Sequence, residues 1–191
     1  MGDTFSPVVW ERVVIRKLFA RIRRDVNIMK LIKLGMIIGK DCSIADDCVV
    51  DYSHCWLIQI GDRVTITSKC MVLAHDASMK RALGKTKIGP VVIGNDVFIG
   101  VNTVVLPNTH IGENTIIGAG SVVSGEIKAN SVYAGVPAKW LCSKDEFLKK
   151  HTDLMKNSPN FDETWTLRKR ISRSKRAQMK EMLGRGVGYV E

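Results

Sequence analysis

The segment VVIGNDVFIGVNTVVLPNTHIGENTIIGAGSVV, residues 91–123, repeats with a period of six. A branched aliphatic residue recurs at every sixth position, and the residue after it is often small, most commonly glycine. A six-residue period does not match the 3.6-residue turn of an amphipathic helix. It is typical of a coil made of short strands joined by corners. The recurring residues are Ile93, Ile99, Val105, Ile111, Ile117 and Val123.

The same period begins earlier in the chain and orders the aliphatic residues in triplets of Ile, Ile and Val. In each repeat the aliphatic side chain points toward the axis, and glycine tolerates the backbone angles of the corner. Three repeats close one coil, so four triplets predict an all-β core of about four parallel coils, stacked at roughly 4.8 Å. The two upstream triplets are Ile38, Ile44, Val50 and Ile60, Ile66, Val72.

Two insertions interrupt the period. Val50 and Ile60 are ten residues apart, four more than the repeat, and Val72 and Ile93 are twenty-one apart, fifteen more. We expect the second insertion to form a loop over residues 76–91, and loops on a rigid scaffold often hold function. The basic residues of this loop are Lys80, Arg81, Lys85 and Lys87.

The repeat divides the chain into three parts. Residues 36–142 form the β-helix domain, residues 1–35 a helical N-terminal extension and residues 143–191 a helical C-terminal tail. In the extension, residues 8–24 place apolar side chains four apart and predict a basic amphipathic helix. We expect this helix to pack on the end of the coil or on a neighbouring subunit; docking on a membrane surface is the alternative.

Short helices are expected on either side of the repeat. Asp25 is a suitable N-cap for a helix that Gly35 ends. Ser143 begins a capping box for a helix that extends to about Lys156. A further helix is predicted over Leu167–Leu183.

The net charge of +10 is not spread evenly along the chain. Residues 1–35 hold eight Lys and Arg against three acids, residues 144–191 hold twelve against seven, and residues 36–143 hold nine against nine. A nucleic-acid surface would interleave aromatic residues with the basic ones, and the basic flanks hold few. We therefore expect no nucleic-acid partner.

Hydropathy and cysteine usage indicate the compartment. No segment approaches the roughly 18 to 20 consecutive apolar residues of a transmembrane helix, and the N-terminus lacks a signal-peptide pattern. The five cysteines are odd in number and lack CxxC spacing, so neither a disulfide framework nor a zinc knuckle is indicated. We expect a cytoplasmic protein with reduced thiols.

Three segments carry a resemblance to a known family: MVLAHDAS (71–78), the repeat over 91–123 and YAGVPAKWL (133–141). With the long insertion, they resemble the hexapeptide-repeat acetyltransferases, particularly the maltose/galactoside and polysaccharide O-acetyltransferase branch. The resemblance covers about residues 36–142. It implies a left-handed parallel β-helix, a homotrimer with active sites between neighbouring subunits, and acetyl-CoA as co-substrate, with no metal required.

His75 matches the catalytic histidine of that family. It lies three positions after Val72, where the coil gives way to the long insertion. An imidazole can take a proton from a hydroxyl at neutral pH and return one to the departing CoA thiolate. The resemblance also implies that the backbone amide of Val101 donates to the oxyanion. We see no Ser/His/Asp arrangement and no activated cysteine, which favours direct transfer in a ternary complex over an acyl-enzyme.

The resemblance also implies a binding site for acetyl-CoA. The family's pantetheine groove maps onto Gly118, Ala119 and Ser124. Lys139 stands where a basic residue commonly meets the nucleotide phosphates, and Trp140 would lie against the adenine. For the glycine, the corner geometry of the repeat is the alternative explanation.

Three further residues are candidates for acceptor binding. Asp76 adjoins His75 and either orients the loop or a ligand, or is simply solvated. Lys85 and its basic neighbours in the loop suggest an anionic acceptor. Phe98 replaces a tryptophan that is common in the family, and it either walls the site or packs at the edge of the core.

These features predict an acetyl-CoA-dependent O-acetyltransferase acting on a hydroxyl of a sugar or polysaccharide precursor. The alternatives are an N-acetyltransferase of an amino or nucleotide sugar, an antibiotic acetyltransferase, or a non-catalytic β-helix scaffold. A γ-class carbonic anhydrase shares the fold but needs three zinc-binding histidines, two of them five residues apart. His54, His75 and His110 lack that spacing, and we expect His54 and His110 to be structural.

Overall fold

The structure, a computed structural model, describes residues 28–191. The chain forms two compact units, one that ends at Lys144 and one over Asp145–Glu191. The predicted amphipathic helix over residues 8–24 lies outside the described residues. Within the described part, no helix is both long enough and apolar enough to cross a bilayer.

Short strands build the first unit, and most of them are two or three residues long. A six-residue repeat leaves room for only such a strand and a corner on each side of a coil. The strands are β1 (Ile37–Ile38), β2 (Ser43–Ile44), β3 (Val49–Val50), β4 (Ile58–Ile60), β5 (Thr65–Ile66), β6 (Met71–Val72), β7 (His75–Asp76), β8 (Lys87–Ile88), β9 (Val91–Ile93), β10 (Phe98–Ile99), β11 (Val104–Ile111), β12 (Ile116–Ile117), β13 (Val122–Ile127), β14 (Ser131–Ala134) and β15 (Lys139–Ser143). They are accompanied by helix α1 (Ile28–Lys33), a 3₁₀ turn (Cys55–Leu57) and helix α2 (Lys80–Leu83).

The strands stack in three parallel ladders, which we number in chain order, and the predicted aliphatic residues occupy their paired positions. The first three partner spacings are 22, 33 and 18 residues in every ladder, so the two insertions add residues without shifting the register. The last step of the first and second ladders is 16 residues. The prediction of stacked parallel strands is confirmed. The aligned residues are Ile38, Ile60, Ile93, Ile111 and Ile127 in the first ladder, Ile44, Ile66, Ile99, Ile117 and Tyr133 in the second, and Val50, Val72, Val105 and Val123 in the third.

Residues with short side chains and glycine form the corners between the strands. Ser121 Oγ donates to the carbonyl of Gly118 at 2.6 Å, which satisfies a main-chain acceptor at the corner. Asn102 has a φ of 60°, the left-handed conformation that a tight turn requires. A Cβ on Gly100 would lie 2.5 Å from the amide nitrogen of Ala119. Glycine is therefore required where two stacked corners approach this closely.

The second insertion is more ordered than the predicted loop. Strands β7 and β8 pair antiparallel, with His75 opposite Ile88 and Asp76 opposite Lys87, and the single turn of α2 connects them. Gly84 ends that turn with a φ of 69°. The prediction of a plain loop is wrong in this respect, because a pair of two-residue strands is too short to leave a periodic pattern.

The second unit contains helices and one short strand pair. Its elements, with the helix that leads into it, are α3 (Lys144–Lys156), β16 (Asn160–Phe161), 3₁₀ turns (Glu163–Trp165 and Leu167–Lys169), α4 (Arg173–Leu183) and β17 (Tyr189–Val190), which pairs parallel with β16.

Helix α4 begins six residues later than the sequence predicts. Arg170 adopts a left-handed φ of 56°, which a continuous helix cannot include. Ser172 then accepts a hydrogen bond from the amide of Lys175 at 3.2 Å and caps the new helix. The apolar spacing does not record either feature, because both depend on backbone angles.

Replacement of a residue inside the coil should cost more than replacement of one outside it. Ile99 is fully buried, so Ile99→Ala should lower the free energy of unfolding by about 2 to 5 kcal/mol. Ile37 is 57% exposed, and Ile37→Ala should change it by less than about 0.5 kcal/mol. Urea unfolding followed by circular dichroism measures both variants. Equal losses would contradict the inward and outward assignment of these residues.

Candidate active site

His75 lies where the coil gives way to the second insertion. The main chain follows the third ladder as far as Leu73, whose amide donates to the carbonyl of Val105 at 2.9 Å. His75 then enters β7 and pairs with Ile88 of β8. Its side chain is 35% exposed. The imidazole is therefore fixed at its base and open to solvent at the mouth of the insertion.

A buried carboxylate holds one edge of that imidazole. Asp51 directly follows Val50 of the third ladder, and only 3% of it is exposed. Its Oδ2 is hydrogen-bonded to Nδ1 of His75 and accepts the amide of Ala74 at 2.9 Å. A carboxylate buried this deeply needs such partners, because an unpaired buried charge is very unfavourable.

The first insertion supplies the remaining partners of Asp51. Oδ1 accepts the amide of Ser53 at 2.9 Å, the hydroxyl of Ser53 at 2.8 Å and the amide of His54 at 3.2 Å. The same hydroxyl oxygen lies 3.3 Å from Nδ1 of His75 and 3.2 Å from Nδ1 of His54. Both oxygens of Asp51 are therefore occupied by donors, which fixes the orientation of the carboxylate.

These contacts determine which nitrogen of each imidazole carries the proton. An ionised carboxylate only accepts hydrogen bonds, so Nδ1 of neutral His75 is protonated and Nε2 carries the lone pair. Ser53 gives its one hydroxyl proton to Asp51 and acts as an acceptor toward His54, which places His54 in the same tautomer. An accessible Nε2 lone pair on His75 is what a general base requires.

The charge of Asp51 results from opposing effects. Burial by itself would raise its pKa, but the hydrogen bonds from His75, Ser53 and Ala74 together lower the pKa below its ordinary value. Asp51 is consequently ionised at neutral pH.

Three side chains of this cluster could also share a metal ion. Asp51, His54 and His75 each offer a ligand atom, and these atoms lie within 4.8 Å of one another. Imidazole and carboxylate ligands suit Zn²⁺. However, both oxygens of Asp51 already accept N–H and O–H groups, so a cation would have to displace the proton between Asp51 and His75. That no metal is required stays a prediction.

The second insertion carries two of the residues predicted to bind the acceptor. Asp76 accepts the amide of Ser78 at 2.9 Å, and hydrogen bonds from Ser78 lower the pKa of Asp76. Across the strand pair Asp76 stands opposite Lys87, and Lys85 is exposed just before β8. The insertion thus presents positive charge close to His75, while its one carboxylate is bonded locally.

Phe98 and Val101 lie on the second ladder instead. Phe98 is exposed in β10, and Val101 follows at the next corner. The carbonyl of Val101 accepts the amide of Gly120 at 2.8 Å, whereas its own N–H donates to no acceptor within residues 28–191. Val101 therefore offers an unused main-chain donor, as an oxyanion site requires.

Gly118 and Ala119 form the corner that stacks on the Val101 corner. The amide of Gly118 donates to the carbonyl of Tyr133 at 2.8 Å, and a Cβ on Gly118 would lie 2.8 Å from that of Ala134. Close stacking alone explains this glycine, and its amide is not free for CoA. Ser124 is exposed in β13, next to the third ladder.

Lys139 and Trp140 lie in β15, which pairs antiparallel with β14 at the end of the second ladder. Lys139 stands opposite Ala134, and Trp140 opposite Tyr133. Both side chains are exposed. The two residues expected to meet the nucleotide thus lie beyond the Gly118 corner on the same ladder.

Within one chain, the predicted site residues fall into two groups. His75, Asp76 and Lys85 follow the third ladder at the second insertion. Among residues 28–191, no hydrogen bond or ion pair links these three to the second group. The second group, along the second ladder, consists of Phe98, Val101, Gly118, Ala119, Lys139 and Trp140. Ser124 belongs to neither group and follows Val123 of the third ladder.

Sequence reasoning missed Asp51, Ser53 and His54. We expected His54 to be structural, yet its ring centroid lies 5.4 Å from that of His75. The sequence feature that could have located them is the first insertion, the four extra residues between Val50 and Ile60. This insertion brings all three side chains close to His75. His110, in contrast, bonds Glu126 at 2.9 Å on the exposed side of the first ladder.

Comparison with known proteins identifies the family of this fold. Residues 90–125 match the family model described as bacterial transferase hexapeptide (six repeats). Protein CapG of Staphylococcus aureus is 35% identical over 150 residues, which cover 75% of this chain and 86% of CapG. The chain belongs to the hexapeptide-repeat transferase family.

Two further relatives of this hexapeptide-repeat transferase carry functional descriptions. WbbJ of Escherichia coli K12, provisionally named a lipopolysaccharide biosynthesis O-acetyl transferase, is 41% identical over 106 residues, which cover 48% of this chain and 54% of WbbJ. A hexapeptide-repeat acetyltransferase of Vibrio cholerae, solved with acetyl-CoA, aligns with a TM-score of 0.52 at 29% identity. That alignment covers 57% of this chain and 60% of the Vibrio cholerae chain.

Asp51→Asn should lower the free energy of unfolding at neutral pH by about 1 to 3 kcal/mol, because the new amide group faces partners that are themselves donors. The pKa of Asp51 is lowered in the folded state. Its stabilisation is therefore present above the unfolded-state value of about 3.9 and is lost as the pH falls through the folded value.

Urea unfolding of wild type and Asp51→Asn at neutral pH and at about pH 3 measures how this stabilisation depends on pH. The difference between the two proteins should narrow in acid. Asp47→Asn is the matched control, because Asp47 is an exposed corner carboxylate that accepts one amide. A difference that is the same at both pH values would show that the charge of Asp51 is not what stabilises the fold.

Proposed function

We propose that this hexapeptide-repeat transferase is an acetyl-CoA-dependent O-acetyltransferase that acts on a hydroxyl of a sugar or polysaccharide precursor. The observation that carries the proposal is the hydrogen bond between buried Asp51 and Nδ1 of His75, which leaves Nε2 as an accessible base. The similarity to WbbJ supports transfer to oxygen on a glycan. The acetyl-CoA complex of the Vibrio cholerae relative supports the donor.

His75 acts as general base and then as general acid. Nε2 takes the proton of the acceptor hydroxyl as its oxygen forms a bond to the thioester carbonyl carbon of acetyl-CoA. The C–S bond of the tetrahedral intermediate then breaks, and the imidazolium returns the proton to the CoA thiolate. Asp51 stays ionised throughout and stabilises the imidazolium. Atoms and charge balance without an acyl-enzyme or a metal.

Val101 supplies the donor for the negative charge on the carbonyl oxygen. A fixed main-chain N–H without a partner in the described residues can donate a hydrogen bond to that oxygen and stabilise its charge with no reorganisation. Along the same ladder, Ala119, Lys139 and Trp140 bind CoA. Ser124, next to the third ladder, contributes to binding of the pantetheine part. The occupied amide of Gly118 leaves that residue a steric role.

The active unit is a homotrimer of left-handed coils of about four turns. His75 and Val101 follow strands of different ladders, and we infer that each thioester lies between His75 of one copy and Val101 of its neighbour. A rotational assembly places the third-ladder corner of one copy opposite the second-ladder corner of its neighbour, and each groove then receives both groups.

The acceptor carries negative charge. Lys85 and the other basic residues of the second insertion stand on the element that begins with His75, and a concentrated positive charge favours an anionic glycan or a nucleotide sugar. Asp76 positions the insertion by accepting the amide of Ser78, and Phe98 forms one wall of the site. An N-acetyltransferase of an amino sugar is the second candidate, because the same base would serve an amine.

Substitution of His75 tests the reaction. His75→Ala should lower the rate of acetyl transfer by about 10²- to 10⁴-fold, because the general base is lost, and Asp51→Asn should approach that loss, because it destabilises the required tautomer. The rate is measured by release of CoA in the presence of EDTA. His110→Ala, a change at an exposed histidine outside the site, should leave the rate unchanged. Full turnover by His75→Ala would contradict the mechanism.

The acceptor panel separates the two candidate chemistries. Neutral sugars, uronic acids, amino sugars and nucleotide sugars are incubated with acetyl-CoA, and products are detected by mass spectrometry. We expect acidic or nucleotide-linked acceptors to react fastest, because of the basic insertion. Mild alkali should remove the new acetyl group, since it cleaves an ester and leaves an amide. An alkali-stable product would indicate N-acetylation instead.

Subunit mixing tests whether the site lies between copies. Val101→Pro removes the proposed donor at a turn position that accommodates proline. His75→Ala and Val101→Pro should each be inactive alone. After subunit exchange at equal amounts they should recover about a quarter of wild-type activity, because a site is intact when both its contributors are, each with a chance of about one half.

A matched variant controls for the effect of proline on the fold. Ser68→Pro changes the equivalent corner one turn earlier on the second ladder, where Lys69 has a φ of 61° as Asn102 does in the Val101 corner. Ser68→Pro should stay active if Val101→Pro is inactive only because it lacks the main-chain N–H. No recovery on mixing, with both variants still folded and exchanging, would contradict a site shared between copies.

A further inference from the structure

The outer side chains of the first insertion form an organised surface that takes no part in the proton transfers of His75. Asp51 and Cys55 point inward and are buried, whereas Tyr52 and Trp56 point outward and are exposed. Cys55 is fully buried, and its Sγ donates to the carbonyl of Leu31 in α1 at 3.7 Å. The insertion is thus fixed from beneath at two points, which makes the outer side chains a defined surface.

Helix α1 supports this surface further. A Cβ on Gly35, which has a φ of 106°, would lie 3.0 Å from Cβ of Trp56, so the absence of a side chain there lets the insertion approach the end of the helix. Lys30 Nζ lies 4.9 Å from the ring centroid of Tyr52 and covers that ring. Trp56 in contrast keeps 54% of its area exposed. Within residues 28–191 its indole N–H donates to no acceptor.

His54 connects this surface to the base. Its ring centroid lies 5.4 Å from that of His75 and 5.4 Å from that of Trp56. Since Nδ1 of His54 donates to Ser53, its Nε2 is left as an acceptor. The three rings therefore place two imidazole acceptors and one aromatic surface in a row.

We propose that His54 and Trp56 form the subsite that holds the sugar ring of the acceptor beside His75. A pyranose has hydroxyls at its rim and an apolar face of C–H groups. One hydroxyl donates to Nε2 of His75 and reacts, a neighbouring hydroxyl donates to Nε2 of His54, and the apolar face lies on the indole of Trp56. An aromatic side chain with an apolar body and a polar N–H suits such an amphipathic ligand. This inference rests on the proposed function and names the residues that select its acceptor.

Position distinguishes this subsite from the donor site. Most residues proposed to bind CoA follow the second ladder, which ends with another exposed tryptophan, Trp140, whose exposed fraction is also 54%. Trp56 is tied through His54 to the acceptor side of His75. The two tryptophans should therefore affect different substrates, although they are equally exposed.

Steady-state kinetics with both substrates varied provide the test. The acceptor probes are methyl glucopyranoside, a glucuronic acid disaccharide and UDP-N-acetylglucosamine. With the best of these, Trp56→Ala should raise the acceptor KM by about tenfold or more and leave the acetyl-CoA KM unchanged, and Trp56→Phe should retain most of the affinity. Trp140→Ala should show the opposite pattern.

Variants of His54 test the hydrogen bond separately. His54→Gln keeps an acceptor atom on a side chain of similar reach and should retain more acceptor affinity than His54→Leu, which has none. Gel filtration of all variants records the oligomeric state. A subsite for the acceptor predicts no change in that state.

The outcomes separate this inference from the proposed function. If wild-type protein neither hydrolyses nor transfers acetyl-CoA, the proposed function fails. If it turns over acetyl-CoA but Trp56→Ala leaves the acceptor KM unchanged, or raises both KM values equally, the acceptor subsite is wrong. If Trp56→Ala dissociates the oligomer, Trp56 serves an interface between copies and the subsite is likewise wrong.

Discussion

The register of the stacked turns is the constraint on which the first unit depends. Each inward aliphatic residue must meet the one below it in its own ladder, because a shift of one residue would turn the apolar side chains outward. Extra residues can therefore leave the coil only at corners. Both insertions follow third-ladder residues that pair directly, Val50 and Val72. This pairing is why Asp51 and His75, 24 residues apart in the chain, lie in contact.

The contact between Asp51 and His75 is the polar interaction that this register makes possible. A carboxylate can be buried at the edge of an apolar coil only if every lone pair is satisfied. The repeat alone contributes the amide of Ala74, and the first insertion contributes the donors of Ser53 and His54. The first insertion, which departs from the repeat, thus supplies the donors that allow a charged Asp51 carboxylate to be buried. The carboxylate in turn orients the imidazole of His75 through its hydrogen bond to Nδ1. Two irregular segments on a regular scaffold form the site.

The ladders could be predicted from sequence because burial of one aliphatic residue per repeat leaves a periodic record. His75 could be located because it stands where the period breaks and matches a family motif. Asp51 could not, since a carboxylate after a strand resembles the exposed corner acid Asp47 until the path of the insertion is known. The family resemblance places Gly118 in the pantetheine groove, with corner geometry as the alternative, and its close stacking on Ala134 supports the alternative without testing the groove. The β7–β8 pair and the break at Arg170 depend on backbone conformation that apolar periodicity does not encode.

The central claim is that buried Asp51 keeps His75 in the tautomer with an accessible Nε2 lone pair. The most direct test is ¹⁵N nuclear magnetic resonance of protein labelled at histidine, with the His75 signals assigned by their loss in His75→Ala. At a pH where the imidazole is neutral, Nδ1 should carry the proton and Nε2 should show the shift of an unprotonated nitrogen. A protonated Nε2 with an unprotonated Nδ1 would contradict the account.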